Sequence, residues 1–166
     1  MALIVEDGSN VPNANSYADV AFIRAYAEQR RLPLPDNDAD VEAFAINAMD
    51  AIESRSYGGR RTYNPQLLAF PRSGLETEEG EYAPNAIPSR VKKAQAQLVA
   101  YRAAGIDLFP SGNAEPAIKV DKVGPLTTEY FDTGGSIGGP AIPLADALLG
   151  PLERGQGAFT LSTVRV

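Results

Sequence analysis

The sequence contains neither histidine nor cysteine among its 166 residues. A chain without them lacks the usual base at neutral pH, the thiolate nucleophile and the two commonest ligands for zinc, copper and haem. No spacing of carboxylate, serine, lysine or tyrosine residues singles out a substitute catalytic pair. We therefore predict that the protein is not an enzyme and has no catalytic residue, no metal site and no cofactor. A carboxylate-dependent hydrolase is the one enzyme class left open, and no motif supports it.

The sequence also lacks long apolar runs and an excess of basic residues. Residues 1–7 are acidic, without the basic region of a signal peptide, and no run approaches the roughly 20 apolar residues that span a bilayer. The net charge is -6, whereas proteins that grip nucleic acid phosphates carry clustered Lys and Arg. We expect a protein that is neither secreted nor membrane-embedded, with a surface that DNA can slide past.

Apolar residues make up 44% of the chain, and it contains 15 glycines and 13 prolines. This composition predicts one globular unit with much irregular structure. We expect residues 1–110 to form an N-terminal arm and a helical bundle. Residues 111–166 are expected to add a β-hairpin or extended arm, a short helix and a C-terminal docking tail to the same structural unit.

Helical patterns in residues 1–110 predict three main helices. The first spans about residues 17–31, with Ser16 as its N-cap and Asp19 in a capping-box position. The third opens near Pro88 or Ser89 and ends near Gly105. One face of this third helix carries Val91, Ala94, Leu98 and Tyr101.

The second helix has the clearest periodicity in the sequence, an apolar stripe at helical spacing that must face a core. The stripe consists of Val41, Phe44, Ala45, Ala48, Met49 and Ile52. Asp40, the last aspartate of the preceding linker, is expected to cap this helix. Gly58-Gly59 is expected to end it, because glycine readily takes the left-handed conformation at a helix C-terminus.

After Pro110 the helical spacing gives way to β-type alternation. Residues on either side of Gly124-Pro125 predict a hairpin, and they are Ile118, Val120, Leu126, Thr128 and Tyr130. We expect a flexible connector at 134–139, a short helix at 143–152 and a terminal strand with a bend at 156–166. In a chain whose core is helical, such strand edges favour partners from a second polypeptide.

Three motifs that imitate ligand sites are incomplete. The three aspartates within 36–40 resemble the start of a calcium loop, but the required Gly and Glu positions hold Val41 and Asn47. We interpret them as an acidic linker. The glycine-rich run 134–139 lacks the Lys-Ser/Thr pair of a phosphate-binding loop, so we interpret it as a flexible linker. The acidic run 76–81 has the composition of a solvated loop.

One segment is a candidate for contact with single-stranded nucleic acid, because arginine pairs with phosphates and tyrosine stacks on bases. This Arg/Tyr cluster consists of Arg55, Tyr57, Arg60, Arg61 and Tyr63. Arg72 lies farther along the chain and joins the same candidate. Two other interpretations stay open for these residues: cations at a helix C-terminus, and aromatic packing under the Phe70-Pro71 loop.

Four segments, in their order along the chain, resemble a known family. They are Val5–Tyr17, Leu68–Gly74, Ala86–Ala94 and Lys122–Tyr130. Together they resemble the head-to-tail adaptor (connector) proteins of tailed bacteriophages, in the group sometimes labelled DnaT-like single-stranded-DNA-binding proteins. One departure is Phe70, where the family is expected to carry Trp often; the apolar character is kept.

The resemblance implies a mainly α fold: a small bundle of three main helices plus a short C-terminal one, with an extended β-hairpin and a C-terminal strand or tail. It also implies a homo-oligomeric ring of about twelve copies beneath the portal protein in the virion neck. The opposite face of the ring would receive the next neck or tail protein. Double-stranded DNA would pass through the lumen without specific binding, and the subunit would be made in the host cytoplasm.

The resemblance assigns loose roles to three groups of residues. The portal-docking tail would comprise Phe159, Leu161, Val164 and Val166. The inter-subunit hairpin would comprise Val123, Leu126, Thr128 and Tyr130. A structural turn supporting the bundle would comprise Phe70, Pro71 and Arg72.

Overall fold

A computed structural model describes residues 2–109, 119–123, 126–130 and 142–154, the two middle ranges by their backbone alone. These ranges contain four α-helices: α1 (Val20–Arg30), α2 (Asp38–Glu53), α3 (Ser89–Ala103) and α4 (Pro143–Leu149). A single 3-10 turn, Gly150–Leu152, follows α4. Within the same ranges, no helix is both long enough and apolar enough to cross a bilayer.

Helix α3 lies at the centre of the bundle and contacts each of the other three helices. It buries eight residues, among them the predicted Val91, Ala94 and Leu98. The apolar stripe of α2 also faces this core: five of its six residues are buried, and Phe44 packs against the core while half-buried. The predicted second and third helices and the short helix after residue 142 are thus confirmed.

The start of α1 differs from the prediction. Asp19, and not Ser16, is the N-cap, and its side chain accepts a hydrogen bond from the Phe22 amide at 2.7 Å. The Ser16 hydroxyl instead donates to the Ala18 carbonyl and accepts a hydrogen bond from Gln95 Nε2 at 2.8 Å. The prediction was wrong because a tertiary contact with α3 occupies the serine, so the helix begins at Val20, three residues later than expected.

Both ends of α2 also differ from the prediction. Asn37 is the N-cap and accepts a hydrogen bond from the Ala39 amide at 3.1 Å, while Asp40 lies in the first turn. The helix ends at Glu53, before the glycine pair that was expected to end it. Gly59 serves the next element: its φ is 62°, and a Cβ there would come within 2.5 Å of the Ser73 carbonyl oxygen.

The segment before α1 folds back on the bundle. Val5 forms a parallel bridge with Ser16. The carboxylate of Glu6 is buried and accepts hydrogen bonds from the backbone amides of Gly8, Asn10 and Val11 at 2.8 to 3.0 Å. The expected N-terminal arm is therefore a turn against the core and not a free extension.

The described ranges also contain three antiparallel hairpins. They are β1 (Arg60–Arg61) with β2 (Arg72–Ser73), β3 (Glu76–Thr77) with β4 (Gly80–Glu81), and β5 (Lys119–Val123) with β6 (Leu126–Tyr130). The first two are corrections, because the sequence was interpreted as loop there. Strands of two residues are too short to show alternation.

The β5–β6 hairpin lies where the sequence predicts one. Its register pairs Lys119 with Tyr130 and Val123 with Leu126. Among the described helices and strands, none contacts this hairpin. A mainly α fold with an appended hairpin is therefore observed, while the expected connector at 134–139 and terminal strand at 156–166 lie outside the described residues.

Candidate functional site

The Phe70–Pro71–Arg72 turn lies at the junction of the N-terminal segment and the end of α2. The Phe70 ring is fully buried, edge-on to Tyr17 at 5.9 Å and tilted against Tyr57 at 4.7 Å between ring centroids. Pro71, which follows a cis peptide bond, is buried as well. Aromatic pairs at these separations stabilise beyond their buried area, so the turn is anchored by packing.

A carboxylate ties this turn to the helices. Glu53, the last residue of α2, accepts a hydrogen bond from the Tyr17 hydroxyl through one oxygen and from the Ala69 amide at 2.8 Å through the other. The Tyr17 hydroxyl accepts from the Phe70 amide at 3.1 Å. Burial, and then the charge of Glu53, raise the pKa of Tyr17, so the phenol stays protonated and acts as a donor.

Arg72 faces backbone and not solvent. Its guanidinium and Nε donate to the carbonyls of four residues on both sides of the turn: Tyr57, Gly58, Gly59 and Ala69. Partial burial, followed by the neighbouring charge of Arg61, lowers the pKa of Arg72. A guanidinium whose donors are taken by carbonyls has little left for an incoming phosphate.

Arg55, the first member of the Arg/Tyr cluster, is held in ion pairs. It contacts Asp146 at 2.6 Å and Glu153 at 2.9 Å, so it joins the end of α2 to α4 and the 3-10 turn. Burial opposes the charge of Arg55, but the hydrogen bonds that it donates to the two carboxylates outweigh this effect and raise its pKa. The interpretation of Arg55 as a phosphate contact is therefore not favoured by its surroundings.

The two tyrosines of the cluster are also engaged inside the molecule. Tyr57 is 4% exposed and donates its hydroxyl to the Ile52 carbonyl at 2.8 Å, and burial raises its pKa. Tyr63 is half-buried and donates to the Gly8 carbonyl at 3.0 Å. A base needs an accessible ring face to stack on, and the fully buried Tyr57 offers none.

Only Arg60 and Arg61 of the cluster point into solvent. Both residues of β1 are exposed, and within the described ranges neither guanidinium group has a hydrogen-bond or ion-pair partner. Two adjacent free guanidinium groups form a small basic patch. The structure thus separates the cluster into two free cations and three residues that serve the fold.

The hairpin residues of the resemblance lie on β5 and β6. Alternate positions along a strand belong to one face, so the register assigns Val123, Leu126, Thr128 and Tyr130 to the same face of the hairpin. The tail residues Phe159, Leu161, Val164 and Val166 lie outside the described residues.

An acidic cleft of about 700 Å³ lies between the β3–β4 hairpin and α4, and no sequence motif indicates it. Five carboxylates line it: Glu76, Glu78, Glu79, Asp146 and Glu153. Arg90 at the start of α3 pairs with Glu79 at 2.5 Å, so the acidic run 76–81 is in part a cleft wall and not only a solvated loop. Its two walls are about 70 residues apart in sequence, so no local sequence pattern indicates the cleft.

One of the three aspartates within residues 36–40 joins α2 to α1. Asp38 pairs with Arg24 of α1 at 2.6 Å. In the described part of the chain, no group of acidic side chains is arranged to hold a metal ion.

The family model described as "putative DnaT-like ssDNA binding protein" matches residues 1–166. The chain belongs to this DnaT-like family. The match confirms the DnaT-like part of the resemblance found in the sequence. No curated protein and no solved structure matches the chain.

Proposed function

We propose that the chain is a structural assembly subunit, the head-to-tail adaptor of a tailed-phage neck. In this role its copies form a ring of about twelve beneath the portal, in the virion. The tail residues 156–166 dock on the portal, and the next neck or tail protein binds the opposite face. The subunit is not an enzyme and needs no cofactor.

The observation that supports this proposal most is the β5–β6 hairpin, which contacts no other helix or strand that the structure describes. The described helices bury their apolar stripes against one another. Two-stranded hairpins alone are marginally stable in water, and their outer edges are templates for another chain. A hairpin of this kind beside a helical core is suited to bind a neighbour.

The charge of the chain supports the DNA part of the proposal. A net charge of -6 disfavours strong attraction to phosphates, which suits a lumen that packaged double-stranded DNA must pass without sticking. The internal engagement of Arg55, Tyr57 and Arg72 points in the same direction, because these residues serve the fold and not a ligand.

A second candidate is binding of single-stranded DNA, which the description of the DnaT-like family favours. Arg60 and Arg61 are the residues that would carry it, since they are exposed and adjacent. Against it stands the burial of Tyr57, which leaves the half-buried Tyr63 as the one aromatic of the Arg/Tyr cluster with a partly accessible side chain.

The adaptor proposal is tested by replacing residues 119–130 with a Gly/Ser linker of equal length. Sedimentation and electron microscopy then compare the intact and the replaced chain, each alone and mixed with a purified portal ring. We expect rings for the intact chain, alone or on the portal, and monomers for the replaced chain. Equal circular dichroism of the two chains verifies that the bundle is unchanged. Absence of rings for the intact chain, both alone and with the portal, would contradict the proposal, whereas rings formed by the replaced chain would remove only the hairpin from it.

The single-strand candidate is tested by the anisotropy of a labelled oligonucleotide. If Arg60 and Arg61 bind phosphates, replacing both by Ala weakens binding and reduces the slope of log K against log salt by about 1.4. The charge-matched control replaces the exposed Lys93 and Arg154 by Ala. No binding by the intact chain at low salt removes this candidate.

A further inference from the structure

The β5–β6 hairpin has two outer edges, one on each strand. Among the strands that the structure describes, β5 and β6 pair only with each other. Each outer edge therefore presents backbone N–H and C=O groups that another strand can pair with. A partner that covers one edge alone leaves the other exposed.

The two strands carry opposite formal charge. β5 contains Lys119, Lys122 and Asp121, two positive residues and one negative, which leaves +1. β6 contains Glu129 as its single charged residue, which gives -1. Opposite charges across neighbouring strands stabilise a sheet, and like charges destabilise it. Contact between unlike edges is therefore favoured over contact between two β5 or two β6 edges.

We propose that the β6 edge of one copy pairs with the β5 edge of the next copy around the ring. This inference rests on the proposed function, because it requires a homo-oligomer. A two-fold dimer joins like edges and leaves one edge of each hairpin free. Head-to-tail pairing of unlike edges closes into a ring in which every edge is covered, and all neighbouring strands are antiparallel.

The resulting band of strands has the size that the function needs. About twelve hairpins contribute about 24 strands, which at about 4.8 Å spacing form a closed band roughly 37 Å across between opposite backbones, with a lumen inside it. Strand tilt widens this lumen further. Barrels of about 16–18 strands already leave an aqueous channel, so a duplex fits within this one.

The absence of native cysteine allows a direct test by disulfide cross-linking. Neutral positions are chosen so that the charges stay: Val120→Cys or Val123→Cys on β5, and Thr127→Cys or Thr128→Cys on β6. Each β5 variant is mixed with a size-tagged β6 variant under assembly conditions and oxidised. Asn47→Cys, exposed on α2, gives the background level of collisional cross-linking.

We expect a cross-linked heterodimer for at least one of the four pairs, at several times the Asn47→Cys background. Cross-linking of a single variant with itself at the level of the mixture would overturn the proposal in favour of like-edge pairing. Rings that form without any hairpin cross-link would overturn the edge pairing and leave the adaptor function standing. Failure of the untagged, unmodified chain to assemble would overturn both.

A charge exchange provides an independent check. Glu129→Lys makes both edges positive, and we expect the concentration at half-assembly to rise about threefold to fivefold. Adding Lys122→Glu reverses the charge of both edges relative to the original chain and should return the concentration at half-assembly to its original value. Inside one hairpin Glu129 is opposite Val120 and Lys122 is opposite Thr127, so neither change sets like charges directly opposite each other. A double variant that assembles no better than Glu129→Lys would contradict the proposal.

Discussion

Glu53 joins the segment before α1, the end of α2 and the Phe70 turn through its two carboxylate oxygens. Replacing it with Gln removes the charge that strengthens both hydrogen bonds and sets an amide beside the Ala69 N–H. We expect Glu53→Gln to lower the free energy of unfolding by about 1–3 kcal/mol, measured by urea titration. Asp50→Asn, exposed on the same helix, is the control and should change it by less than about 0.5 kcal/mol. Equal losses in both variants would show that the network contributes nothing specific.

Gln95 is a fully buried amide that serves four backbone and side-chain groups. It accepts hydrogen bonds from the Tyr17 and Ala18 amides at 2.9 and 3.0 Å and donates to Ser16 and to the Ala45 carbonyl at 2.8 and 2.9 Å.

Gln95→Leu removes the side-chain acceptor of the buried Tyr17 amide and the side-chain donor to Ser16 and to the Ala45 carbonyl, so we expect a loss of about 3 kcal/mol or more in the free energy of unfolding. Gln97→Leu is the matched control, because Gln97 is also buried but, among the residues that the structure describes, its side chain bonds one group, the Tyr26 hydroxyl at 3.2 Å. Its cost should be about 1 kcal/mol. A Gln95→Leu protein as stable as Gln97→Leu would refute this account of the core.

The partners of such side chains could not be predicted from the sequence. Ser16 is of a residue type that commonly caps helices, but its hydrogen-bond partner Gln95 is 79 residues away. Arg55 is of a residue type that commonly binds phosphate, but its ion-pair partner Asp146 is 91 residues away. The spacing of neighbouring residues contains no information on partners so far along the chain. The sequence therefore indicates that Ser16 and Arg55 form polar contacts, but not with which residues.

Helix α4 is attached to the bundle in part by Arg55, whose side chain is 20% exposed between Asp146 and Glu153. We expect Arg55→Met to lower the free energy of unfolding by about 1–2 kcal/mol in low salt, and by less in about 1 M NaCl, where ion pairs are screened. Arg154→Met, at an exposed position nearby, should have little effect in either. A loss that does not change with salt would mean that the contribution of Arg55 is packing alone.

The helices were predictable from the sequence because their signal is long. The stripe of α2 extends over three turns, and its burial follows from apolar spacing alone. The hairpins β1–β2 and β3–β4 have two residues per strand and were missed. Helix ends were the least predictable feature, since Asp19 and Asn37 compete with neighbouring polar residues for the capping position.

The whole molecule is acidic, with a net charge of -6. The exposed pair Arg60 and Arg61 offsets little of this charge. We expect the assembled protein to bind a labelled duplex with a dissociation constant no tighter than about 10⁻⁴ M near physiological salt, a value typical of weak non-specific contact. Fluorescence anisotropy up to about 10 μM protein should therefore stay flat. Saturable duplex binding with a steep salt dependence would contradict a lumen that DNA passes freely.

Amide hydrogen exchange of residues 119–130, in the free chain and in the assembled ring, tests most directly whether the hairpin edges pair with a neighbouring copy. In the free chain these amides should exchange almost as fast as in a peptide, because an isolated hairpin opens readily, while those of α2 and α3 stay protected. On assembly we expect exchange of the hairpin amides to slow by about 100-fold or more, with the helices unchanged. Full protection of the hairpin in the monomer, or no slowing in the ring, would contradict the account.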